Sequence, residues 1–463
     1  EFVGIPAHGS LCAPGLIGRL APYVRWTRSD FAAAPSGGMM GEMSVESAVR
    51  KDDVRDPARD GEGRAAGNDP LRTLVERYDP SVLDGSQERT CVRLAIPGEG
   101  ELDVRLTGGV ARLEAATEPS PDATLTADRE TWQHIASDLR GGMDAFRAGR
   151  LLVRRNLHLG VGFLAATSSM RPPEGLAFRR IETESGTLSI VEAGAGEPVI
   201  LVHGLGATKV SFLTTTIALA GAGYRTISVD LPGFGDSVKP LLAPYHPPFF
   251  ARAVIDLMDA LQIERAHVIG NSMGGRVALE LGLRYPDRAR KLVLVAPSLA
   301  WKRERPWAPF VRLLRPELGL VQATPRWVIE SFVHRIIPAA ADGWVRAGVD
   351  EFLRAYLTPR GRVAFYASAR NIYLEEPHGA KGFWTRLERL QAPCLFVWGH
   401  LDRLVPIGFA RHVEDVLPSA THLKLDCGHV PQLERPAETH AAIEAFLRRA
   451  EPPAERAGVG PER

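Results

Sequence analysis

The chain has 463 residues, too many for one ordinary single-core domain, and its 45% hydrophobic and 24% charged residues mark a globular protein. Basic residues (56) and acidic residues (55) nearly cancel to a formal net charge of +1, which gives no support to a nucleic-acid partner or a strongly charged substrate. Cys12, Cys91, Cys394 and Cys427 are widely spaced and form neither a CxxC pair nor a Cys/His cluster, so no metal site is expected and their scarcity fits a reducing cytoplasm.

The N-terminal stretch lacks a basic segment followed by a clean apolar core, so no signal peptide is expected. No apolar run approaches the roughly 20 residues that cross a bilayer; Leu157–Ala166 is apolar but short and broken by glycine. Residues 1–68 are expected to be disordered, because Gly and Pro recur without period and Glu46–Arg64 mixes opposite charges with few large apolar residues. Asp69–Leu83 reads as an amphipathic helix, with Leu71, Leu74, Val75 and Tyr78 at helical spacing after the cap candidate Asp69. Thr90–Ile96, Glu101–Leu106, Val110–Ala115 and Ala123–Thr126 alternate as short strands, punctuated by the turns Pro97-Gly98-Glu99-Gly100 and Gly108-Gly109. Asp128 is placed to cap a helix running through Leu139.

The order of these elements, with Pro121–Thr126, the helix carrying Trp132 and Ile135, and the glycine before the short strand in Ala145–Val153, resembles the sterol-carrier-protein type-two domain over roughly residues 70–168. That resemblance implies a small α+β lipid-binding fold with a tunnel for an apolar ligand between sheet and helices.

Arg171-Pro172-Pro173-Glu174-Gly175 opposes both helix and strand and reads as a linker. Beyond it, strands alternate with helices, which predicts a mostly parallel sheet. Arg179–Glu192 reads as a hairpin through Ser185-Gly186. Pro198–Val202, Thr226–Val229, His267–Ile269, Lys291–Val295 and Cys394–Val397 are continuous apolar strands of the kind covered on both faces. Residues Ser298–Leu390 interrupt the alternation and are rich in aromatics: Trp301, Trp307, Trp327, Phe332, Trp344, Phe352, Tyr356, Phe365, Tyr373 and Trp384. They predict a helical insertion over the sheet, with a largely apolar pocket beneath it.

Gly270-Asn271-Ser272-Met273-Gly274 is a G-x-S-x-G sequence between a strand and the helix expected over Gly275–Tyr285. A serine on such a sharp turn is held with its hydroxyl exposed, the flanking glycines leave room for the turn, and the helix N-terminus favours developing negative charge. A serine hydroxyl needs a base to take its proton. His429 follows the strand Thr421–Leu425, and Asp402 follows the strand Cys394–Val397, so both fall at the carboxyl edge where open α/β sheets gather their sites. In these roles Asp402 orients the imidazole and His429 shuttles the proton.

The chain order Ser272, Asp402, His429, together with His203-Gly204-Leu205-Gly206 after a strand and the Asp230–Ser237 turn, resembles the α/β-hydrolase fold family over about residues 179–448. The resemblance implies a serine hydrolase with a helical cap and an oxyanion hole made by the backbone N–H groups of Leu205 and Met273, with His203, Gly204, Gly270 and Gly274 supporting the loops. Asn271 and Arg276 are read as supports of the turn and its helix, and Cys427 as a packing residue. The expected organisation is therefore a disordered segment over 1–68, a sterol-carrier-like α+β domain over 69–168, a linker over 169–178, a hydrolase core over 179–298 and 391–448, a cap over 299–390 and a disordered tail over 449–463. The expected function is cytoplasmic hydrolysis of a small apolar or lipid-like carboxylic ester, in the manner of an esterase or lipase, with no cofactor, no metal, no nucleic-acid partner and no transmembrane segment. GNSMGG with Tyr285-Pro286-Asp287-Arg288 and Lys291–Leu294 also resembles the carbon–carbon bond hydrolases of aromatic ring cleavage, an alternative activity. A catalytically silent lipid-binding protein is a third reading. The oligomeric state stays open.

Overall fold

A computed structural model describes residues 69–450 apart from 85–88, 138–144, 147, 171 and several stretches between 302 and 345. The segment expected to be disordered over 1–68, the tail from 451 onward, and the cap aromatics Trp307 and Phe332 lie outside the described residues.

The N-terminal part is built on a five-stranded sheet of β1 (Thr90–Ile96), β2 (Gly100–Thr107), β3 (Val110–Ala115), β4 (Ala123–Thr126) and β5 (Leu152–Arg154), in the order β3-β2-β1-β4-β5. Only β1 and β4 pair in parallel. The first helix, α1 (Pro70–Glu76), is capped as expected by Asp69, whose carboxylate accepts from Leu71 N at 3.2 Å. It ends at Glu76, well short of Leu83. Pro80 disfavours helical geometry at Asp79, whose carboxylate accepts from Ser81 N at 2.9 Å in a turn instead. Helix α2 (Arg129–Ser137) is capped by Asp128, which accepts from Thr131 N at 2.7 Å.

Helix α3 (Leu157–Ala166) is buried almost all round, which accounts for apolar residues on every side of it. It sits tightly. A Cβ added at Gly160 would come within 2.5 Å of Val153 Cγ1, and one at Gly162 within 2.5 Å of Leu83 Cδ1. The cluster that includes Leu94, Leu125, Trp132, Phe146 and Phe163 continues into Phe178, Val191, Val210 and Leu213 from beyond the linker, so the two sheets share one apolar core.

The second sheet has eight strands in the order β13-β12-β11-β10-β8-β9-β7-β6. These are β6 (Ala177–Ile181), β7 (Leu188–Ala193), β8 (Glu197–Val202), β9 (Tyr224–Val229), β10 (Ala266–Asn271), β11 (Ala289–Val295), β12 (Cys394–Gly399) and β13 (Thr421–Leu425). The hairpin β6–β7 is antiparallel to its neighbours, and β8 to β13 run parallel. Both faces are covered. Val199 and Leu201 of β8 pack in one layer with Phe212, Leu219 and Ile443, from helices α4 (Leu213–Gly221) and, later in the chain, Pro436–Arg448 and their approaches. Ile200 and Val202 face the opposite layer with Val254 and Leu257 of α5 (Pro247–Ala260) and Val277 and Leu281 of α6 (Met273–Arg284). This two-sided burial is why the strands read as uninterrupted apolar runs.

Between β11 and β12 the chain forms the helical insertion, including α7 (Asp342–Tyr356) and α8 (Pro359–Tyr373). Phe352 and Tyr356 of α7 pack with Phe365 and Tyr366 of α8, and the Tyr356 and Tyr366 hydroxyls lie 2.9 Å apart. No described helix is long and apolar enough to cross a membrane.

Candidate active site

The parallel strands deliver their carboxyl ends to one edge of the sheet: the His203 loop after β8, Ser272 after β10, Ser298 after β11, Asp402 after β12 and His429 after β13. Ser272 has φ 53° and ψ −115°, a left-handed backbone that a non-glycine residue adopts only where its surroundings impose it. The surroundings here are backbone. Ser272 N donates to Val295 O at 2.9 Å, and Ser298 N donates to Ser272 O at 2.9 Å. A Cβ at Gly270 would fall 2.2 Å from Gly274 O, and one at Gly274 only 2.0 Å from Val202 O. Both glycines are thus fixed by close approach of main chain to main chain.

Asp402 and His429, 27 residues apart in sequence, meet through a 2.7 Å hydrogen bond from His429 Nδ1 to Asp402 Oδ2. The other carboxylate oxygen accepts from Leu404 N (2.8 Å) and Val405 N (3.0 Å), which locks the acid's orientation. A proton on Nδ1 leaves Nε2 as the basic nitrogen. Two further residues complete this loop: Glu434, which carries no signal in the sequence, and Asn271, expected to support the serine turn. Glu434 accepts from Gly428 N (2.9 Å) and Val430 N (3.1 Å), bracketing His429 on both sides. Asn271 donates through Nδ2 to Val295 O (3.0 Å) and to His429 O (3.1 Å), tying the serine turn to the histidine loop. Ser298, also missed, places its hydroxyl 3.3 Å from Ser272 Oγ. Its only sequence signal is its position three residues past β11.

The loop after β8 lies against the serine. A Cβ at Gly204 would come within 3.3 Å of Ser272 Cβ and 3.2 Å of Asn271 Oδ1. His203 is fully buried; its Nε2 accepts from Leu231 N at 3.0 Å, so Nδ1 carries the proton and donates to Gly204 O at 2.8 Å. Burial holds its pKa below the usual histidine value, keeping it neutral as a loop brace. Met273, whose N–H is a candidate oxyanion donor, opens α6 and is fully buried; Leu205, the other candidate, packs at the margin of the main core. The Asp230–Ser237 turn is architectural: buried Asp230 accepts from Lys209 N at 2.7 Å and from Asp236 N at 2.9 Å, and pairs with the Lys209 ammonium.

Arg276 does not face the site as a free cation. It is buried, bonded to Glu280 at 2.9 Å and to Glu375, with Phe383 under its guanidinium at 4.7 Å. Cys427 is buried, and burial pushes its thiol up to about 12, so it holds no thiolate for nucleophilic chemistry. A hollow too small to hold a substrate, lined by Gly206, Ala207, Phe234, Phe352, Tyr356 and Phe365, separates the loop after β8 from the cap, and neither Ser272 nor His429 lines it. Among the described residues no group of three or more His, Cys, Asp or Glu side chains is arranged to hold a metal ion.

Comparison with known proteins agrees with the fold. The family model for the alpha/beta hydrolase fold matches residues 197–436. A 2-hydroxy-6-oxononadienedioate/2-hydroxy-6-oxononatrienedioate hydrolase of Burkholderia vietnamiensis is 30% identical over 290 residues, covering 58% of this chain and 98% of its own length. A 2-hydroxy-6-oxo-6-phenylhexa-2,4-dienoate hydrolase of Comamonas testosteroni is 31% identical over 264 residues, 56% of this chain and 90% of its own. Among solved structures, a membrane phospholipase A described as a bacterial virulence factor superposes with a TM-score of 0.52 at 26% identity, covering 60% of this chain and 87% of that one. A probable hydrolytic enzyme of Pseudomonas aeruginosa PAO1 gives a TM-score of 0.50 at 25% identity, with 61% and 97% covered.

Proposed function

This chain belongs to the α/β-hydrolase fold family and is a hydrolase, and from that premise we propose that it cleaves a carbon–carbon bond next to a carbonyl in a dienoate product of aromatic ring cleavage, with Ser272 as nucleophile. The observation that carries the substrate class is the 30% identity to a ring-cleavage-product hydrolase over 98% of that enzyme's length. The choice places the activity with the carbon–carbon alternative rather than with the ester reading expected first from the sequence.

In this reading a 2-hydroxy-6-oxo-dienoate first ketonises, so that the carbon next to the 6-oxo group becomes able to leave with the bonding electron pair. His429 Nε2 takes the Ser272 proton and Ser272 Oγ bonds to the carbonyl carbon. The developing oxyanion is held by the N–H groups of Leu205 and Met273. The carbon–carbon bond then breaks, its electron pair passing through the enone to the 2-oxo group, whose enolate oxygen takes the proton from His429, and His429 then activates water to hydrolyse the acyl-enzyme. Asp402 keeps the imidazole in its Nδ1–H tautomer and stabilises the imidazolium. The test uses 2-hydroxy-6-oxo-6-phenylhexa-2,4-dienoate: its absorbance should bleach with stoichiometric release of benzoate, and Ser272→Ala should abolish the reaction. Turnover of esters without consumption of this dienoate would reject the carbon–carbon assignment.

A second reading, hydrolysis of an apolar or lipid-like ester, is favoured by the likeness to the membrane phospholipase A. It accommodates residues 69–168 as a sterol-carrier-like domain that delivers an apolar ligand, supported by the strand order of the first sheet and by α3 against it. A panel of esters of graded chain length, run on the full chain, distinguishes the two.

A further inference from the structure

Strand β5 and the start of α3, in the N-terminal part, press directly on cap helix α7. Arg154 Nε donates to Asp350 Oδ2 at 2.6 Å, and the same oxygen accepts from Arg155 N at 3.0 Å. Arg155 holds φ 73°, a left-handed conformation at the point of contact. One residue further along α7, Glu351 accepts from Leu157 N at 3.2 Å and pairs with Arg354 at 2.7 Å. Asp350 and Glu351 are buried, so each bond substitutes for lost hydration.

The far side of this contact is the candidate active site. Thr208 Oγ1, two residues beyond Gly206 on the loop after β8, donates to the other Glu351 oxygen at 3.3 Å. Phe352 packs on the same loop: a Cβ at Gly206, which has φ +76°, would lie 2.6 Å from Phe352 Cε2. Arg354 extends the chain of charges to Asp236 at 2.6 Å, and Asp236 reaches buried Lys209 at 3.2 Å. Successive residues of α7 therefore grip the N-terminal part and the loop that carries Leu205.

We propose that Arg154, Asp350 and Glu351 are positioning residues, through which the N-terminal sheet sets the cap helix and the oxyanion loop in their reactive geometry. The proposal rests on Ser272 as the nucleophile. It assigns the N-terminal part a role in assembling the site, distinct from ligand delivery. Loop displacements well under 1 Å are felt at an oxyanion hole, because its donors must lie within hydrogen-bond reach of the developing charge.

The experiment needs no knowledge of the substrate. The full chain is inactivated with a fluorophosphonate, whose attack by Ser272 passes through the same oxyanion contacts, and the second-order rate is compared across variants together with Tm. Arg154→Gln and Glu351→Gln are expected to slow inactivation by about tenfold or more, with Arg154→Lys recovering most of the rate. Variants that remain folded and react at the parent's rate overturn the proposal. So does a loss of rate that tracks a loss of folded protein and is not recovered by Arg154→Lys. A parent chain that fails to react overturns the serine-nucleophile reading itself.

Discussion

Ser298 Oγ lies 3.3 Å from Ser272 Oγ, and Ser298 N also donates to Ser272 O, so one residue at the end of β11 touches the nucleophile through both its main chain and its side chain. The hydroxyl contact orients Ser272 Oγ, whereas the main-chain contact survives replacement. Ser298→Ala should therefore lower kcat by roughly 3- to 10-fold, the worth of a single hydrogen bond of about 1 kcal/mol. Steady-state kinetics with Tm measured in parallel checks this; an unchanged kcat would make the contact incidental.

Asp402→Asn preserves the size of the acid and its contacts to Leu404 N and Val405 N, but presents an amide where His429 Nδ1–H needs an acceptor. The imidazole then loses both its tautomer lock and the charge that stabilises its protonated form. A fall in kcat on the order of 10³–10⁴ is expected with a near-parent Tm. A loss below tenfold would mean that Asp402 does not serve His429 as an orienting acid.

Acid stability should report on Glu280. Burial works to raise the pKa of this carboxyl, but Arg276 first, then Arg386 and Arg284, outweigh it and hold the group at about 2. Its folded pKa lies below the unfolded value of 4.5, so its contribution is fully present above about pH 4.5 and is lost as pH falls towards 2. The difference amounts to about 3 kcal/mol. Denaturant midpoints measured from pH 6 downward should drop across this window for the parent, and Glu280→Gln should flatten that part of the profile while lowering stability at neutral pH.

Thiol reactivity tests the interior. Cys394 and Cys427 are pushed up to about 12 and Cys91 to about 11, in each case first by burial. With so little thiolate and so little access, none of the three should react with an aromatic disulfide reagent in the native protein, and all should react in denaturant. Mass-spectrometric mapping of the labelled sites decides it. Rapid native labelling of Cys427 would show the histidine loop opening.

Sequence alone determined the strands, the serine turn and the edge of the sheet where Asp402 and His429 fall. Each of these is written in local terms: apolar period, the residues that break it, and glycines where backbone must meet backbone, as at Gly270 and Gly274. The Asp69–Leu83 helix failed on local chemistry as well, since the Asp79-Pro80 turn competed with it. The tertiary structure alone decided which distant groups serve the site. Asn271 reaches His429 O across 158 residues, and Arg154 reaches Asp350 across 196. Ser298 carries no motif and gains meaning only because β11 lies beside β10 in the sheet. Such partners are chosen by strand order and by the need to satisfy buried polar groups, and neither leaves a periodic trace in the chain.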